Sequence, residues 1–189
     1  MFEDLVNLIA QRLTQQAEVI VAISGHGGSG KSTLAERLGR HFGVLDSQIV
    51  RMDGLYATNY MDQQDLYGLH DWPALIALLT QIRSGDRLRY LKRNDKEIET
   101  IVDLPKPRVV LVEGIRLIRP ELLPLVDLSV WVDCPLDFAT DRAKERNRQQ
   151  GDSDAEIALW DTKWAPEARR YMEQAAPDRI ASFLFTEYR

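Results

Sequence analysis

GHGGSGKST, residues 25–33, lies between the apolar run VIVAIS (19–24) and the helix-like LAERLGRHF (34–42). A plain hydrophobic core has no use for that density of glycine and serine. The stretch fits G-x-x-x-x-G-K-[ST] with Gly25, Gly30, Lys31 and Ser32, in the strand, loop, helix context that gives the pattern its meaning. Small glycines let backbone N–H groups turn toward a phosphate, and the N-terminus of the following helix adds partial positive charge. Gly25, His26, Gly27, Gly28, Ser29, Gly30, Lys31, Ser32 and Thr33 are therefore the expected phosphate cradle. Within it Lys31 supplies a mobile cation for the outer phosphates and the Ser32 hydroxyl a ligand for Mg²⁺. The competing reading is a glycine-rich strand-to-helix turn.

The bulk numbers limit what surrounds this loop. A chain of 189 residues, 44% hydrophobic and 28% charged, is long enough for one packed core and short for two, so residues 1–189 are expected to form a single domain. The net charge of −5 comes without long blocks of one sign, which argues against nucleic acid as a partner. No run approaches the roughly 20 apolar residues that cross a bilayer, and MFEDLVNLIAQRLTQQ lacks the basic start and apolar stretch of a signal peptide. The single cysteine, Cys134, permits neither an internal disulfide nor a multi-cysteine metal site. A cytoplasmic protein without membrane contact is expected.

Outward from the loop, the pattern alternates. Phe2, Leu5, Val6, Ile9 and Leu13 recur at helical spacing and predict a helix over 2–17. QIVRM (48–52) reads as a short strand ending at Asp53. Trp72, Leu75, Ile76, Leu79 and Ile82 mark one face of a helix that stops at Ser84-Gly85-Asp86. RLRYLKRNDKEIETIVDLPKPR (87–108) is polar and weakly patterned, and reads as loops or a small hairpin. RVVLVEG (108–114) and LSVWVD (128–133) are nearly continuous apolar runs, as in parallel strands covered on both faces. A helix over Leu136–Gln150, a break at 151–154, a helix to Ala175 and a strand in RIASFLF (179–185) complete the order. This alternation predicts a doubly wound α/β sheet, with ligands at the carboxyl ends of its strands. Gly25, Asp53, Glu113 and Asp133 all fall at such ends.

The acids and arginines narrow the chemistry. Asp53 is placed to accept a proton from an attacking hydroxyl, or else simply starts a turn before Gly54. Glu113, at the mouth of a buried strand, suits Mg²⁺, which prefers oxygen ligands; the alternative is a structural hydrogen bond to the next loop. Arg142 and Arg146, one helical turn apart, either neutralise charge on a transferring phosphoryl group or decorate a solvated face with Asp141, Lys144 and Glu145. His26, His41 and His70 show no metal spacing. Trp160 and Trp164 read as packing, and Cys134 as structural.

Taken together, GHGGSGKST, DGLY (53–56), EGI (113–115), VDCPLD (132–137) and RAKERN (142–147) resemble the uridine kinase and phosphoribulokinase family of P-loop kinases, over about residues 19–185. The resemblance implies a P-loop NTPase fold: a five-stranded, mostly parallel sheet, helices on both faces and a small helical lid, here about 137–155. It implies ATP- and Mg²⁺-dependent transfer of the γ-phosphoryl group to a hydroxyl of a small metabolite, with a nucleoside first among the acceptors, and a homo-oligomeric habit. By match of motif, Asp53 takes the role of catalytic base and shares the metal environment with Ser32 and Glu113, while Lys31, Arg142 and Arg146 grip phosphates. Tyr56 is implied to line the acceptor pocket. Asp65, in DLYGLHDW (65–72), aligns with the family's sugar-hydroxyl aspartate, with Asp71 as second choice. The family's pyrimidine-reading P-x-Y-D-x-x-x-H-x-R stretch has only Tyr90 to match it in RYLKRNDKEIE (89–99), and the lid's R-G-R becomes QQGDSD. MDGLYATN (52–59) is also similar to the T-D-G-F stretch of bacterial pantothenate kinases, so pantothenate, sugar and glycerate kinases stay in view. A nucleotide-dependent switch without kinase activity is the alternative from another class, but the N-K-x-D base-reading motif of GTPase switches does not occur in the sequence.

Overall fold

A computed structural model describes residues 1–58, 65–96 and 98–186. Its centre is β1 (Val19–Gly25), whose seven residues are all buried. β1 pairs in parallel with β5 (Val109–Glu113) on one side and β6 (Leu128–Val132) on the other. β2 (Val50–Arg51) extends the sheet beyond β5, and β7 (Phe183–Phe185) extends it beyond β6. The order β2-β5-β1-β6-β7 is a five-stranded sheet, parallel throughout rather than mostly so. The chain leaves β1 toward one edge and passes from β5 to β6 across it, so a topological switch point opens at the carboxyl end of β1, directly above the GHGGSGKST loop.

Strand alternation sorts the core into two layers. Val19, Val21 and Ile23 face α1 (Phe2–Gln15) and α2 (Lys31–Phe42), meeting Leu5, Ile9, Leu34 and Leu38. Ile20 and Ala22 face α3 (Trp72–Ile82), meeting Leu75, Leu79 and Ile82. The stripe of α3 rotates slightly from its expected setting: Leu78 is buried, while Ile76 turns partly to solvent. The polar stretch after α3 forms an antiparallel hairpin, β3 (Arg87–Arg93) with β4 (Glu99–Pro105), in which Leu91 pairs with Ile101.

The C-terminal third departs from the expected pair of helices. α4 (Leu136–Gln150) ends at Gly151 in the left-handed region, and Ser153 caps α5 (Asp154–Leu159) in a reciprocal pairing with Glu156. A π-helical turn, Trp160–Trp164, then leads into α6 (Ala165–Ala175). Such turns insert an extra residue into a helix and are frequent at functional sites. A short α7 (Pro177–Ile180) replaces the beginning of the expected last strand, because Pro177 starts a new turn after Ala176 enters the left-handed region. No helix among the described residues is long and apolar enough to cross a membrane.

α6 is fastened to the loop after β5 by the buried Tyr171, whose hydroxyl donates to the Ile118 carbonyl at 2.6 Å. Tyr171→Phe removes that donor and leaves a buried carbonyl without a partner, a loss of roughly 1–2 kcal/mol. Urea denaturation should show the corresponding drop in midpoint, and an unchanged midpoint would show that water reaches the carbonyl.

Candidate active site

The phosphate loop takes its shape from left-handed backbone at Gly28 (φ 82°) and Gly30 (φ 97°). Gly28 has no alternative: a Cβ there would stand 2.0 Å from the Ala139 carbonyl oxygen of α4. At Gly27 a Cβ would meet the Trp160 ring at 2.6 Å, so the π-turn rests on the loop. The Ser29 N–H and the Lys31 ammonium both donate to the His26 carbonyl, at 3.1 and 3.2 Å, curling the lysine over the loop. Gly30 caps α2 without a side chain, so the first N–H groups of that helix carry no capping acceptor and keep their positive end open. The Ser29 hydroxyl is likewise buried without a hydrogen-bond partner among the described residues. Unsatisfied donors around a backbone cradle suit an anion such as a phosphate.

Strand register brings the acids to the same place. Glu113 is opposite Ile23 in β1 and Arg51 in β2. Its carboxylate, 3% exposed, accepts from the Ser32 hydroxyl at 3.3 Å to each oxygen and has the Arg51 Nε at 3.8 Å. Asp53 follows in a 3₁₀ turn, Met52–Gly54, and is exposed. Burial lifts the Glu113 carboxyl above the usual glutamate range; the Lys31 charge opposes this and the Asp53 charge adds to it. A carboxyl whose folded pKa exceeds its unfolded value contributes stability at low pH that is lost as the pH rises through the folded pKa. Glu113→Gln should therefore melt above wild type at neutral pH, with the difference shrinking as the pH falls toward the unfolded-state value of about 4.3. A variant melting below wild type at neutral pH would show that Ser32 and Arg51 outweigh the burial.

The remaining expected residues are placed less uniformly. His26 turns its side chain out of the cradle: the ring packs edge-on against Trp131 at 5.2 Å, and burial, aided by Lys31, lowers its pKa to about 4. The loop therefore uses only its backbone carbonyl. Tyr56 lies over His70, ring centroids 5.5 Å apart. Asp65 is exposed and accepts from the Tyr67 N–H at 3.2 Å, while Asp71 is occupied as the N-cap of α3, accepting from Ala74. Tyr90 packs its ring against the α3 layer and borders a groove with Arg51 and Lys92. Arg142 is exposed, borders a cleft with Gly30, Thr33 and Arg37 beside the loop, and sits 5.8 Å from the Phe138 ring. Arg146 is exposed and donates to the Asn147 side chain. The structure thus joins Lys31, Ser32 and Glu113, and leaves Asp65 and Arg146 at the surface.

Three features went unread in the sequence. A small cleft of about 70 Å³ runs from Gly25, His26 and Gly27 to Trp160, Trp164 and Tyr171, so the two tryptophans border the loop instead of only packing. Arg116 is 4% exposed, with φ 62°, and donates to the Leu66 carbonyl and, at 2.6 Å, to Glu167. It ties the loop after β5 to the 65–71 segment and to α6; a charge inside GIRLI was its only sequence signal. His70 is 3% exposed and has no hydrogen bond on either ring nitrogen among the described residues.

Comparison with known proteins identifies the family. The sequence profile of the family described as AAA domain matches residues 21–159. The chain is 30% identical over 146 residues to a uridine kinase of Shewanella frigidimarina, covering 67% of each protein. Among solved structures, one from Silicibacter sp. TM1040 named for a fructose transport system kinase superposes with a TM-score of 0.76 at 22% identity, over 95% of this chain and 97% of that one. A D-glycerate 3-kinase from Cryptococcus neoformans superposes with a TM-score of 0.56 at 14% identity, over 88% and 87%. These two likenesses concern the fold. With its phosphate loop at the switch point of a parallel sheet, the chain belongs to the uridine kinase-like family of P-loop kinases.

Proposed function

We propose that the protein transfers the γ-phosphoryl group of ATP to a hydroxyl of a small metabolite, with a nucleoside as the first acceptor to test and pantothenate, a sugar or glycerate as the alternatives. The observation that carries this reading is the contact of the Ser32 hydroxyl with the buried Glu113 carboxylate at the mouth of the phosphate loop. Two hard oxygen donors beside a phosphate cradle fit Mg²⁺, which keeps several waters and takes its other ligands from the nucleotide. Among the described residues no cluster of three or more His, Cys, Asp or Glu offers a cage made by protein alone, in keeping with that shared mode. When bound, Mg²⁺ neutralises charge between the phosphates.

Each residue then takes the role that this reading gives it. Lys31, now on the His26 carbonyl, swings to the outer phosphates, and the N–H groups of α2 hold them. Asp53, one strand over from Glu113, orients the acceptor hydroxyl and takes its proton. Tyr56 forms the acceptor wall; Asp65 and Tyr90 reach the acceptor from the flanking segments. The chain acts as one domain with a lid at 137–155 that carries Arg142 and Arg146 over the transferring group. Because α4 rests on Gly28 through Ala139 and Ala143, Arg142 stays beside the loop, and closure moves the part of the lid beyond that anchor, with Arg146. Closure excludes water and limits wasteful hydrolysis.

ADP release from ATP and Mg²⁺, measured against uridine, cytidine, nicotinamide riboside, pantothenate, glycerate and fructose, tests the reading. One acceptor should stimulate release in wild type. Asp53→Asn should bind ATP as wild type does and turn over about 10²-fold more slowly. Full turnover in that variant would remove Asp53 from the mechanism.

A further inference from the structure

Trp160 is a large apolar side chain that the core does not explain. It is half-buried, and it lies outside the three clusters of buried apolar side chains and the partly buried ones packed against them. Its ring meets the phosphate loop instead. The far edge of the indole, Cη2 and Cζ3, stands where a Cβ on Gly27 would be 2.6 Å away. The cleft beside it, bordered by Gly25, Gly27, Trp164 and Tyr171, measures about 70 Å³ and is too small for a sugar or a nucleoside. The loop, and not a stacked ligand, is therefore the partner of the ring.

The composition of the loop calls for such a support. Gly27-Gly28-Ser29-Gly30 puts three glycines in four residues, and glycine loses the most conformational freedom on being fixed. The loop's own backbone contributes the bond from the Ser29 N–H to the His26 carbonyl at 3.1 Å. Further support comes from outside: Gly28 is walled by the Ala139 carbonyl and the Ala143 methyl of α4, and Gly27 by Trp160. The π-turn delivers the ring to that place, the Trp160 carbonyl accepting from the Ala165 N–H five residues on. Lys144 of α4 holds the turn through an ion pair with Asp161 at 2.5 Å. Two adjacent loop residues are thus walled by two elements that are themselves tied together.

We propose that Trp160 is a positioning residue of the phosphate loop: by bearing on Gly27 it holds the loop in its anion-binding shape before a nucleotide arrives. The proposal rests on the nucleotide-binding part of the kinase reading above and deepens it. The ring acts through the loop backbone and not on the reacting groups. A cradle fixed in advance binds more tightly than one that must be ordered on binding, because the ligand no longer has to offset the lost chain freedom. Truncating the side chain frees Gly27, and the cost of fixing it again passes to the phosphates. The base of the nucleotide and the acceptor lie outside this effect.

Calorimetric titration of the full-length protein with ATP and Mg²⁺, and with tripolyphosphate and Mg²⁺, tests this for wild type, Trp160→Phe and Trp160→Ala. Steady-state kinetics with the acceptor that wild type uses accompany it. Trp160→Ala should bind both ligands about tenfold more weakly, since the freedom of about one residue has to be removed. KM for ATP should rise by the same factor while KM for the acceptor stays at the wild-type value. Trp160→Phe, whose shorter ring stops short of Gly27, should fall between the two, and it decides the matter if the alanine variant does not fold. A merely structural tryptophan predicts a lower melting point with wild-type affinity for both ligands, and that result overturns the proposal. A loss confined to ATP, or one confined to the acceptor, overturns it too, because the ring then serves the base or the acceptor. If wild type binds both ligands but phosphorylates no acceptor, the kinase reading fails while the titrations still decide Trp160. If wild type binds neither, both fall.

Discussion

The parallel pairing of β1 with β5 on one side and β6 on the other is the constraint on which the rest depends. Because residue pairs are set by that register, Ile23 faces Glu113 and Gly25 faces Val132, and the last residues of the strands come level with the start of the phosphate loop. A slip of one residue would turn Val19, Val21 and Ile23 from the α1 and α2 layer to the α3 layer and carry Glu113 off the site. Two apolar layers hold the register, and the loop inherits its position from them.

Around this frame, charge and close approach do different work. The buried Glu113 carboxylate accepts from Ser32 and lies beside Arg51, while Lys31 holds the His26 carbonyl and acts on the carboxyl through its charge; burial shifts that carboxyl upward. Such an arrangement contributes little net stability, and in the proposed reaction it exchanges partners when a cation or phosphate arrives. The loop itself is held by contact: α4 at Gly28 and the Trp160 ring at Gly27 leave no room for side chains. The C-terminal third is thus coupled directly to the phosphate loop, and Arg116 extends the coupling to the 65–71 segment and to Glu167 of α6.

Legibility in the sequence followed the range of the signal. The phosphate loop could be read because its function depends on consecutive residues, and the buried strands because both faces are covered, leaving VIVAIS, VVLV and LSVWV without alternation. Hairpin 87–105 was ambiguous, since its exposed face carries Arg89, Leu91, Ile101 and Asp103 together and weakens the two-residue period. The π-turn at Trp160–Trp164 could not be read at all: one extra residue in a helix leaves no compositional mark, yet it decides that two tryptophans border the loop.

By itself, then, the sequence determined the fold class, the cradle from Gly25 to Thr33 and the strand-end positions of Asp53 and Glu113, because each rests on local pattern and short spacing. Only the tertiary structure decided which side chains share an environment. Ser32 meets Glu113 across 81 positions. His26 turns away from the cradle because Trp131 lies beside it. Asp71 is taken by helix capping, and His70 is enclosed by Tyr56, Trp72 and the fields of two cations. Burial and long-range contact set those outcomes, and neither is carried by neighbouring residues in the chain.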